Sequence, residues 1–158
     1  MKALELSGGL WFYSSMNDSE HRTGGPVARI SLEQVNGLNV AEGLERCGND
    51  RQLYWRVLLD FRDGYSDAVT RLDALLRAGK WSEAKALAHA VKGTSGMLSA
   101  NDLFAASSSL EAIFKRAGDS GVPPSHMQDE LDRFRRELVR LMAGLDKLSD
   151  PPTQAKKK

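Results

Sequence analysis

The stretch Ala88-His89-Ala90-Val91-Lys92-Gly93-Thr94-Ser95-Gly96 decides how this chain is read. On a helix at about 100° per residue, Ala84, Leu87, Ala88, Val91, Thr94, Ser95 and Leu98 gather on one side. Ser82, Lys85, His89, Lys92, Gly93 and Gly96 gather on the other, within about 60° of the His89 direction. The spacing makes one helix with a buried side and an outward histidine beside two lysines and two glycines. A glycine inside a helix costs roughly 1 kcal/mol relative to alanine. Two of them on the solvent side call for a reason other than stability, and close approach of another molecule supplies one.

Outward from this stretch, the chain alternates apolar seams with breaks. Tyr54, Leu58, Phe61, Tyr65, Ala68, Leu72 and Leu75 step by four and three. That pattern predicts one long helix over 53–76, bent at Asp63-Gly64 and ended by Gly79. The histidine helix then starts at Trp81 behind a poor cap, Lys80. A third long helix is expected over 102–117, capped by Asn101 and stopped by Gly118. Leu103, Ala106, Leu110, Ile113 and Ala117 form its inner stripe, widened by Phe104 and Phe114. Ser125 to Gln128 reads as a capping box for the last helix. There Met127, Leu131, Phe134, Leu138, Leu141, Leu145 and Leu148 form a second seam. Upstream, Asn39 caps a short helix over 40–47, stopped by Gly48, and Asn49 or Asp50 caps the next. Ile30 to Val35 reads as extended chain or a short helical turn. Amphipathic helices with short links bury their stripes best as an all-α antiparallel four-helix bundle, here with a short extra N-terminal helix.

His-x-x-Lys-Gly-x-Ser at His89, Lys92, Gly93 and Ser95 resembles the signature of histidine-containing phosphotransfer (HPt) domains. Leu87-Ala88 before the histidine, Leu110-Glu111 on the next helix, and Gly43-Leu44-Glu45-Arg46 followed by Tyr54 and Phe61 resemble the family as well. The resemblance spans Ile30 to Leu148 and is most specific from Ala86 to Glu111. Ser99 stands where the family usually has glycine, which weakens a left-handed helix end. The resemblance implies the same bundle. It also implies a phosphorelay intermediate, not an ATP-dependent kinase. A receiver domain carrying phosphoaspartate and Mg²⁺ donates to His89, and a second receiver accepts. The implied partners are response-regulator receiver domains and a hybrid sensor histidine kinase.

The residues support that chemistry on their own terms. A neutral imidazole on a helix surface is a nucleophile near neutral pH. Lys85 and Lys92 disfavour a third positive charge between them, and their ammonium groups can receive a phosphoryl group once attached. Gly93 and Gly96 leave the docking face open. The histidine helix meets the next one near Ser99-Ala100, so the residue level with His89 on an antiparallel partner lies near 111. Ser108 or Glu111 can therefore hydrogen-bond the imidazole and set its tautomer. The plain alternative for Glu111 is a pair with Lys115 one turn on, and for the lysines ordinary solvated charge.

The whole chain narrows the classes. Its 158 residues suit one domain, over 30–149, with an N-terminal extension over 1–29 and a basic tail over 150–158. With 22 basic against 21 acidic side chains, bulk charge does not point to nucleic acid. Cys47, the single cysteine, leaves no intramolecular disulfide and suits a reducing compartment. No apolar run reaches the ~20 residues of a membrane span, and no signal-peptide core follows Met1, so a cytoplasmic protein without membrane insertion is expected. No phosphate-cradling glycine loop is present, and His21, His89, His126 and Cys47 have no metal-ligand spacing. No cofactor or metal of its own is expected. Leu10-Trp11-Phe12-Tyr13 is compatible with a strand, a clip onto the domain or a contact in an oligomer. A binding module that docks a receiver without exchanging phosphate, and a purely structural bundle, are the competing readings.

Overall fold

The computed structural model describes residues 29–148. The extension, including Leu10 to Tyr13 and His21, and the basic tail lie outside the described residues, Arg29 excepted. A 3-10 turn at Leu32–Gln34 is followed by α1 (Val40–Arg46), α2 (Arg51–Tyr65), α3 (Ala68–Arg77), α4 (Trp81–Leu98), α5 (Asn101–Ser120) and α6 (Met127–Leu145). The described part is an all-α bundle. Its rods are α2, prolonged by α3, then α4, α5 and α6, with the closest packing between α4 and α5.

The seams read from the sequence form the core. Tyr54, Leu58, Phe61, Ala68 and Leu72 are buried from one rod, and Leu131, Phe134, Leu138, Leu141 and Leu145 from another. Between them lie Leu87 and Val91 of α4 and Leu103, Leu110 and Ile113 of α5. Removing such side chains from water is the main stabilising contribution, at roughly 1.5–3 kcal/mol each.

Caps explain several boundaries. Asn39 Oδ1 accepts from the Glu42 N–H, and Asp50 Oδ1 accepts from the N–H groups of Gln52 and Leu53. Gly79, with φ of 67°, closes α3 in a conformation that side chains rarely adopt.

Four expectations are corrected. The 53–76 helix is two helices, divided at Ser66-Asp67, and not one bent at Gly64. Ser66 (φ −57°, ψ −29°) and Asp67 (φ −102°, ψ 5°) stay close enough to helical geometry to preserve the phase of the seam, so periodicity cannot register the break. α5 passes through Gly118 and ends at Gly121, whose φ is 71°. Its first residue is Asn101, whose side chain donates to Glu42 instead of capping. The Ser125 capping box does not form. The Met127 N–H donates to Pro124 O in a turn, and α6 begins after His126 with no side-chain cap.

The short α1 seats on the end of α4. Gly43 lies so close to Tyr54 that a Cβ there would clash with the phenol oxygen. Tyr54 Oη in turn donates to Leu98 O at 2.8 Å. Ser99 ends α4 in the left-handed region (φ 58°, ψ 37°), a conformation that costs a non-glycine residue about 1 kcal/mol. Three hydrogen bonds offset this. Ser99 N–H donates to Gly96 O, Asn39 N–H donates to Ser99 O, and Arg46 Nε donates to Ser99 Oγ at 3.1 Å. The first and last described segments are tied together by the Ile30 N–H, which donates to Lys147 O at 2.9 Å.

Candidate functional site

The α4–α5 hairpin builds the site. Its antiparallel register pairs His89 with Glu111, and seven residues later on α4 and seven earlier on α5 it pairs Gly96 with Phe104. Small or short-chained α4 residues on the inner side, Ala84, Ala88 and Ser95, are buried and let the two helices approach closely.

His89 stands on the outer face, its side chain 66% exposed. Its Nδ1 lies 2.8 Å from Glu111 Oε1. The other carboxylate oxygen, Oε2, accepts from Lys92 Nζ. Both Lys92 and Glu111 are half-buried, so this pair is better shielded than an ordinary surface ion pair. The Lys92 ammonium, and with it the imidazole, holds the Glu111 carboxyl below the usual carboxylate range, although partial burial pushes the other way. An ionised carboxylate only accepts hydrogen bonds. The proton of a neutral His89 therefore sits on Nδ1, and the lone pair on Nε2.

The positions named from the sequence divide as follows. Glu111, not Ser108, takes the imidazole proton, and its cation is Lys92, not Lys115. The charge nearest His89 is thus a carboxylate, with Lys92 behind it. Lys85 lies one turn before His89, half-buried and without an ion pair among the described residues. Gly93 is open, with nothing within 4 Å of where a Cβ would stand. Gly96 is not open. A Cβ there would meet the Phe104 ring at 3.2 Å. Phe104 accordingly leaves the inner stripe assigned to it and lies 41% exposed across Gly96, while Phe114 is buried as expected. Helix spacing could not place Phe104, because its direction lies at the edge of the stripe and the facing glycine decides which way the ring falls. The Lys92–Glu111 pair was not foreseen either, although the register that brings it together can be counted from the turn.

Among the described residues no three His, Cys, Asp or Glu side chains cluster as metal ligands, and no helix is long and apolar enough to cross a membrane. The family model of the Hpt domain matches residues 56–148, more than half of the chain, and takes in α3 to α6 and most of α2. The chain belongs to the Hpt domain family. Members are phosphotransfer intermediates of two-component phosphorelays that interact with receiver domains. Neither the curated proteins nor the solved structures compared with the chain gave a match.

Proposed function

We propose that this protein accepts a phosphoryl group on His89 Nε2 from the phosphoaspartate of one receiver domain and passes it to the aspartate of another. The observation that carries the reading is the Nδ1 to Glu111 contact at 2.8 Å on an imidazole that is otherwise open to solvent. It leaves Nε2, across the ring, as the free nucleophile. In the forward step the Nε2 lone pair attacks phosphorus and an N–P bond forms. The P–O bond to aspartate breaks and its electrons leave with the carboxylate. The Nδ1 proton stays on the ring, held by Glu111, so no proton has to be lost to solvent. The reverse sequence loads the second receiver. Lys92 and Lys85 supply positive charge beside the transferred group. The acidic pocket and Mg²⁺ for the acyl phosphate belong to the receiver, and a hybrid sensor histidine kinase is the source of the phosphoryl group. A reducing, cytoplasmic setting, which the single Cys47 suits, completes the reading.

The test is transfer from a receiver phosphorylated on its aspartate to the full chain. The wild-type protein gains acid-labile, base-stable label, and His89→Gln gains none while keeping its helicity and melting temperature. His21→Gln and His126→Gln still accept. Label persisting on His89→Gln moves the nucleophile elsewhere. A wild-type protein that binds the receiver but never takes label is a docking module instead.

A further inference from the structure

Phosphotransfer needs a partner held firmly enough to align its phosphorus with Nε2, yet the reacting atoms offer little surface to hold. The α4–α5 hairpin carries a second rung on the same outer face. Gly96 is seven residues after His89 and Phe104 seven residues before Glu111, so their contact lies two turns from the imidazole, roughly 10 Å along the hairpin. The Phe104 ring rests on the bare backbone of Gly96 and keeps 41% of its surface exposed. Met97, next in the chain, is 58% exposed. Between this apolar rung and the His89 rung lies Gly93, with no side chain to obstruct a body resting on both.

Resting on the phosphotransfer reading above, we propose that Phe104, seated on Gly96, is the apolar anchor by which a receiver domain is held while its phosphoaspartate reaches His89. The continuity of the rung with the nucleophile's face selects this occupant. Any macromolecule that brings an aspartyl phosphate to Nε2 must cover the hairpin on both sides of the imidazole, and Phe104 stands inside that footprint. An aromatic ring already fixed on one side by packing loses little freedom when covered on the other, which is what makes such rings dominant contacts in interfaces. Gly96 then serves as the seat that keeps the ring low and outward.

Two phosphoryl donors separate anchoring from chemistry. Phosphoramidate is small and needs no docking surface, whereas a receiver phosphorylated on its aspartate does. Phe104→Ala is expected to label with phosphoramidate at the wild-type rate and to melt within a few degrees of wild type. With the receiver as donor, the concentration for half-maximal transfer should rise about tenfold or more, with the rate at saturation unchanged. Phe104→Trp, which restores a ring, should recover most of the loss. An unchanged half-maximal concentration in Phe104→Ala overturns the anchor. So does an equal loss with both donors, which would assign Phe104 to the geometry of the imidazole. Failure of the wild-type protein to take label from either donor overturns the phosphotransfer reading itself, and the anchor with it.

Discussion

Glu111 is where the imidazole and the Lys92 ammonium converge, one on each carboxylate oxygen. With its second oxygen committed to Lys92, it orients the Nδ1 proton and leaves Nε2 bare. Glu111→Ala removes the acceptor and frees Lys92. Nitrogen NMR of the His89 ring should then show the proton shared between Nδ1 and Nε2 instead of held on Nδ1. Transfer from the receiver should fall about tenfold, the rate equivalent of one hydrogen bond of roughly 1.4 kcal/mol. An unchanged tautomer would show that Glu111 only solvates the helix face. Its place level with His89 was legible from residue counting, because an antiparallel hairpin fixes which positions oppose one another. Its second partner was not. Spacing along α5 offers Lys115 or solvent, and the ammonium nearest the carboxylate, Lys92, depends on how the two helices are rotated against each other.

Among the elements, α1 is the shortest helix and owes its place to its neighbours. Seven residues cannot sustain a helix alone in water. Asn39 caps it, Arg46 reaches Ser99, Asn101 reaches Glu42, and Gly43 lies flat on the Tyr54 ring. In Gly43→Ala the new methyl would occupy the position of the phenol. Either Tyr54 leaves Leu98 O or α1 lifts away, and thermal melting should report a loss of about 1–3 kcal/mol. A variant as stable as wild type would mean that α1 contributes nothing to the bundle. Ser99 makes the complementary case. A serine in place of glycine at the end of α4 suggested a weaker left-handed cap, and the left-handed cap forms regardless, because side chains and backbone from α1 take up its hydrogen-bonding groups.

For the whole molecule, Tyr54 links the core to pH. It is fully buried, and burial above all, with the nearby Cys47 and Glu42, raises its pKa above the ordinary tyrosine range. A group that ionises more readily unfolded than folded stabilises the fold below its unfolded pKa, near 10. That contribution falls away as pH rises from there toward the folded pKa. The wild-type protein should therefore lose stability on the alkaline side of about pH 10. Tyr54→Phe should cost about 1 kcal/mol at neutral pH through the lost bond to Leu98 O. Its alkaline limb should be flatter. Equal alkaline slopes in equilibrium unfolding would remove Tyr54 from the account.

The amino-acid sequence by itself determined the helical class, the two long seams that became the core, and the outward direction of His89. Each follows from a period of 3.6 residues, which is a local property. It also determined the opposition of 89 and 111, since a short turn leaves an antiparallel pair one register. Tertiary structure alone decided the division of the 53–76 rod at Ser66-Asp67, which preserves phase and so leaves no trace in the pattern. It decided that Glu111 holds Lys92, and that Gly96 seats Phe104 instead of standing open. Those outcomes depend on the rotation and separation of neighbouring helices. Both are set by how side chains distant in sequence fill one core, and no local period encodes them.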